Sequence, residues 1–281
     1  MDSLTESEVN MGASGPGALQ NDGLPVFTAE DRPRAIVDGA GRWLAAVFGP
    51  PFRWSASKRS LHGADGHRSV DIHLQGSRHS RAGESTVVSI WVYVDDEKLA
   101  EWRRQHPDLC HHDNARLFAA SLADLAPGTA MVEIYGRLHE VVSGIIPFAD
   151  VPELLREEVL PVLSLFGSPA DVVQDLPNRW WTGPINLVEW SVSRGEYAIA
   201  RQVIVRYLTL HPSAVPLFQA GLKDIDGGLR RQLWSESVAL GRSAAILGLF
   251  TPDDPIPVAP PPAPRRTFMQ RLRARRGYIG E

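Results

Sequence analysis

The chain has a single cysteine, Cys110, so it can close no internal disulfide, and a reducing, cytoplasmic compartment is the expectation. It has no run of about 18 apolar residues, which excludes a membrane-spanning helix. Its N-terminus carries Asp2, Glu6 and Glu8 where a secretory signal would need basic residues. A net positive charge is also lacking: a formal net charge of -4 gives the chain no overall pull toward nucleic acid. There is no Gly-x-Ser-x-Gly, so no serine is marked as a hydrolase nucleophile. The glycines at Gly12, Gly15 and Gly17 lack the preceding strand and following helix of a phosphate loop. The excess of Arg over Lys, with abundant Ala, Gly and Pro, suits a bacterial genome rich in G and C.

What is present points to an α+β fold. Val70, Ile72 and Leu74 alternate with Asp71, His73 and Gln75. After a polar Gly/Ser/Arg-rich turn, Val88, Ile90, Val92 and Val94 alternate with Ser89, Trp91 and Tyr93. Period-two alternation on both sides of a turn predicts an antiparallel pair with one buried and one wet face. The expectation is a small antiparallel sheet with helices packed on one face, followed by a helical C-terminal extension.

Along the chain, residues 1–27 are polar and expected to be disordered. An α+β domain is expected over 28–178. Thr28 is placed as the N-cap of a helix with Ile36, Ala40, Trp43, Leu44 and Val47 on one face, stopped by Gly49-Pro50-Pro51. Phe52, Trp54 and Ala56 mark a strand. Asp95 or Asp96 caps a helix holding Leu99 and Trp102. A second helix is read over Asp113–Leu125, with Leu117, Phe118, Leu122 and Leu125 inward. A strand is read over 129–135 and on toward Val142. Asp150-Val-Pro-Glu153 resembles a capping box, and Pro161 should kink the helix it opens. A helical extension is expected over 179–250, a proline-rich linker over 251–264 and a basic tail over 265–281.

The short matches Phe52-Arg53-Trp54, Leu74-Gln75-Gly76-Ser77, Ser89-Ile90-Trp91-Val92 and Glu158-Val159-Leu160-Pro161 fall in a familiar order. In that order the region from about residue 35 to 180 resembles a bacterial family of small α+β proteins catalogued as a domain of unknown function. The resemblance implies the fold and brings no activity, cofactor or site residues.

Several groups of residues carry chemistry. His106, His111, His112 and Asp113 form the densest set of potential metal ligands, with Cys110 beside them. Their spacing lacks the three- or four-residue helical repeat of a zinc pair, so no metal and no cofactor is expected. Cys110 as a nucleophile would need a thiolate-stabilising partner such as His111 or His112. Asp95-Asp96-Glu97 could hold Mg²⁺ at a strand end, but helix capping is the simpler use. His73, Gln75, Trp91 and Tyr93 fall on the wet sheet face as a candidate ligand or partner surface. Trp180 and Trp181 stand at the expected boundary, where either one of the two adjacent indoles meets a seam or groove or, the more favoured reading, both are buried at the seam. In the tail, Arg271, Arg273, Arg275 and Arg276 lie beside Phe268, Met269 and Leu272, a pattern suited to weak contact with an anionic membrane or nucleic acid.

The function expected from the sequence is a non-catalytic cytosolic binding or interaction protein with an unidentified protein or small-molecule partner. Two alternatives stand beside it: a hydrolase or tailoring enzyme with its pocket between the sheet and Trp180-Trp181, and an immunity or antitoxin-like protein.

Overall fold

A computed structural model describes residues 23, 25–110, 112–181, 183–224 and 235–256. His111, most of the N-terminal segment, the linker from residue 257 and the basic tail with Arg271, Arg273, Arg275 and Arg276 lie outside the described residues.

In chain order the elements are α1 (Pro33–Phe48), β1 (Arg53–Ser55), β2 (Ser60–Asp65), β3 (Arg68–Gly76), β4 (Thr86–Asp96), α2 (Glu97–Gln105), β5 (Arg116–Ser121), α3 (Leu122–Leu125), β6 (Met131–Tyr135) and β7 (Ile145–Pro147). There follow α4 (Val151–Leu154), α5 (Leu160–Leu163), α6 (Pro169–Asp175), α7 (Pro184–Ser193), α8 (Tyr197–Leu210), α9 (Val215–Lys223) and α10 (Glu236–Ile246). The fold is α+β. The sheet has seven strands, in the path β1-β2-β3-β4-β6-β7, with β5 also on β4. It is mixed, because β6 and β7 run parallel while the other pairs are antiparallel.

The predicted pair β3/β4 sits at the centre, with Ile72 opposite Val92 and Leu74 opposite Ile90 on the buried face. The long β4 shares its far edge between two partners. Thr86–Val88 pair with β6, and Trp91–Asp95 with β5. This placement corrects the helix expected over Asp113–Leu125: Arg116–Ser121 is a strand, and only Leu122–Leu125 is helical. An unpaired β4 edge would leave buried backbone groups without partners, and that requirement outweighs the Ala- and Leu-rich helical pattern. A bulge between Val94 and Asp95 lets both Leu117 and Phe118 turn inward.

Other boundaries also move. α1 begins at Pro33, and Thr28 instead bonds the Asp31 carboxylate through its N–H and hydroxyl. β6 ends at Tyr135, because Gly136 takes a positive φ of 119° and the Glu133 carboxylate folds back to accept the N–H groups of Leu138 and His139. Asp150 makes no side-chain cap; the complete capping box is Ser121 with Asp124. Ahead of Pro161, where a kink is expected, the helix holds a π-helical segment over Leu155–Val159, as suits a residue that donates no N–H and whose ring pushes on the preceding turn.

One cluster of buried side chains runs from Val37 in α1 through the sheet to Leu240 in α10 and Phe250. It crosses the boundary expected at 178/179. Phe27, inside the segment expected to be disordered, packs against this core and against Gly39. At the other end Ile256 packs against it too, and Asp254 accepts the Thr251 N–H. Among the described residues no helix is long and apolar enough to cross a membrane.

Candidate functional site

Side chains alternate across a strand, so the residues beside Ile72, Leu74, Ile90 and Val92 project from the opposite face. The register then builds two rows across that outer face. His62, Asp71, Tyr93 and Ala119 form one; Ser60, His73, Trp91 and Ser121 form the next. Helix α1 covers the other face, where Gly41 lies against Trp54.

Tyr93 is the centre of the outer face. The Arg116 guanidinium lies 4.0 Å from the ring centroid. His73 meets Tyr93 edge-on, with centroids 5.0 Å apart and planes at 88°. Trp91 lies nearly parallel to it, 10° between planes and 6.4 Å between centroids. Arg116 is itself held by Asp95, whose Oδ1 accepts from Nε at 2.5 Å. Asp71 Oδ1 accepts the Ser60 hydroxyl at 3.3 Å and lies 3.1 Å from His62 Nδ1. Gln75 stands exposed at the rim, opposite Ser89. Burial holds the His73 ring below its ordinary pKa; Arg116 and Lys58 push the same way, and Asp71 and Asp95 oppose them. Near neutral pH the ring is therefore an uncharged, half-buried part of an aromatic patch.

Ser60, His62 and Asp71 bring together the residue types of a nucleophilic triad in an order that cannot work as one. A triad needs histidine between serine and acid, whereas here both Ser60 and His62 bond to Asp71. Ser60 is also fully buried, so no substrate reaches its hydroxyl.

The remaining residues singled out in the sequence fall elsewhere. Trp180 and Trp181 are 1% and 3% exposed, both inside the common core. Trp180 stacks on Phe118 at 5.9 Å, and the Trp181 indole N–H donates to the Leu176 carbonyl. The backbone turns between them, so both indoles face inward, as the more favoured of the two readings has it, and no groove opens there. Cys110 is buried and its thiol lies 3.4 Å from the Arg103 carbonyl, unlike the exposed, electropositive setting of a reactive thiolate. His106 stacks on Trp102 and bonds its carbonyl. Among the described residues no group of three or more His, Cys, Asp or Glu could hold a metal ion. Asp96 caps α2 by accepting the Leu99 N–H, while Asp95 turns to Arg116.

Sequence reasoning placed His73, Trp91 and Tyr93 together and missed Arg116, Asp95, Asp71 and His62. For Arg116 the signal was masked by the helical pattern around it. For His62 and Asp71, only the β2/β3 register makes them neighbours. No protein-family model, curated protein or solved structure matches this chain.

Proposed function

We propose that this chain works by binding, not by catalysis, and that its partner is a folded protein docking on the outer face of β1–β5. One observation carries the reading. Trp91, Tyr93 and Arg116 sit side by side on the outer sheet face and hold one another in place. Those three residue types dominate the energetics of protein interfaces. Their mutual stacking lowers the ordering cost a partner would meet. The bacterial cytosol is the setting this reading assumes.

The test starts with a photo-crosslinking residue in place of the exposed rim residue Gln75, to capture the partner in cells. The purified pair is then titrated with Trp91→Ala and Tyr93→Ala. Loss of about 30-fold or more in affinity, the ~2 kcal/mol of an interface hot spot, supports the reading. Unchanged affinity in well-folded variants would remove the outer face from consideration.

The basic tail is proposed as a separate, weak contact with anionic surfaces through Arg271, Arg273, Arg275 and Arg276, at about 1 kcal/mol per arginine near a membrane. The full chain should bind anionic but not neutral vesicles at low salt, and changing the four arginines to Gln should abolish this. Absence of binding at low salt would discard the role.

A further inference from the structure

On the α1 side of the sheet, away from Trp91 and Tyr93, an open cleft of about 370 Å³ lies between the first turns of α1, the β1–β2 turn and the β3–β4 turn. Pro33, Arg34 and Val37 line it from α1, Ser57 and Arg59 from the first turn, and Gly76, Ser77 and Ser80 from the second. Thr86, the first residue of β4, completes it. The lining thus holds two guanidiniums and four hydroxyls and no carboxylate.

The positive groups here are uncommitted. Arg34 and Arg59 are exposed, and neither forms an ion pair among the described residues. Three acids close by in sequence are engaged elsewhere: Asp31 with Thr28, Asp38 with Arg42 and Trp54, Glu84 with Arg81. Helix α1 begins with no side-chain cap and no acidic residue in its first turn, so the partial positive charge of its N-terminus is unanswered. Arg59 is the one non-glycine described residue with positive φ, at 51°, and its carbonyl is pinned by the Leu74 N–H.

A second, independent observation points to a ligand. Thr86 is 1% exposed, and its hydroxyl oxygen is buried with no hydrogen-bond partner. Buried polar atoms in folded proteins are ordinarily satisfied, so an orphan hydroxyl in the wall of a cleft marks a place where a partner is missing. Ser77 adds a weakly committed donor: its hydroxyl accepts the His79 N–H and donates to the weakly accepting sulfur of Met131.

We propose that this cleft binds the phosphate group of a small phosphorylated metabolite. Two guanidiniums match the charge and the multiple acceptor oxygens of a phosphomonoester, and the Ser77 and Thr86 hydroxyls supply donors beside the positive end of α1. The cleft falls within the size range of small-molecule sites and exceeds a lone anion, which leaves room for the ester carbon skeleton. The site is independent of the outer face and stands or falls separately from the docking role proposed for it.

The test uses the full chain with ribose 5-phosphate, inorganic phosphate, ribose and a phosphoserine peptide, in chloride of matched ionic strength, read by calorimetry and thermal melting. Saturable binding of ribose 5-phosphate with a raised melting temperature is expected, with none from ribose. The Arg34→Gln/Arg59→Gln double variant should bind at least about tenfold more weakly, as loss of charge-assisted contacts implies. Thr86→Val should also weaken binding, while the free variant melts no lower than wild type, because the substitution breaks no existing hydrogen bond. Should Thr86→Val fold poorly, Thr86→Ser must retain binding. The proposal is overturned by no saturable binding of ribose 5-phosphate, by equal binding in the double arginine variant, by inorganic phosphate binding as tightly as the ester, or by binding of the phosphopeptide alone.

Discussion

Arg103 and Glu189, 86 residues apart, form an ion pair in which neither side chain meets solvent. Arg103 comes from α2 and Glu189 from α7. The Arg103 Nε donates to Glu189 Oε2 at 2.7 Å, Nη1 to the carbonyls of Asn114 and Arg116, and Nη2 to Asn186 Oδ1. One guanidinium therefore joins α2, the entrance to β5 and α7. Asp96 does the same nearby: one carboxylate oxygen caps α2, and the other accepts from the Trp190 indole and from Arg194. These two nodes lock the helical C-terminal half onto the sheet.

Removing one partner of a buried pair strands the other charge. Arg103→Met should lower unfolding free energy by about 3–5 kcal/mol, whereas Arg103→Met with Glu189→Leu should recover most of that loss. Urea denaturation of the two variants decides the point. Equal losses in both would mean that the guanidinium contributes through its bonds to Asn114, Arg116 and Asn186 and its packing, and not through the charge pair.

The two sets of tryptophans should differ sharply. Trp180→Ala opens a cavity in the core and should cost about 3–5 kcal/mol. Trp91→Ala, on the half-exposed outer face, should cost about 1 kcal/mol or less. Thermal melts that ranked Trp91 above Trp180 would contradict the assignment of faces.

His73 should leave a signature in the pH dependence of stability. Its pKa in the folded state is depressed by burial below the ordinary 6.5. The unfolded chain therefore takes up the proton first. The contribution is complete above about pH 6.5 and is lost as pH falls through the folded value. Between about pH 7 and 5 the His73→Gln variant should lose less stability than wild type. Identical pH slopes in urea titrations would show that another group is responsible.

Gly221 in α9 and Gly241 in α10 let these helices touch through their backbones. A Cβ on Gly221 would overlap the Val238 carbonyl, and one on Gly241 the Phe218 carbonyl. Alanine raises helix propensity by about 1 kcal/mol, but neither helix backbone can yield to it. Gly241→Ala should therefore destabilise the protein by about 1–3 kcal/mol. An increase in melting temperature would show that the helices are free to separate.

The outer-face candidates were legible because period-two alternation alone sorts Val70, Ile72 and Leu74 from Asp71, His73 and Gln75. A one-residue slip would bury the polar set, so hydrophobicity by itself selects the face. The phosphate cleft was not legible. Arg34, Arg59 and Thr86 lie on three separate elements, and nothing in their sequence spacing marks them as neighbours.

Local sequence was enough for the α+β class, the β3/β4 pair and a helix cap at Asp95 or Asp96. Each depends on local periodicity or on a capping side chain. Only the tertiary structure decided that Arg116–Ser121 is a strand, because a local helical pattern carries no record of the unpaired β4 edge. Only the tertiary structure turned Trp180 and Trp181 both inward and bound Arg103 to Glu189. Those outcomes come from backbone pairing and buried charge, which act between residues far apart in the chain.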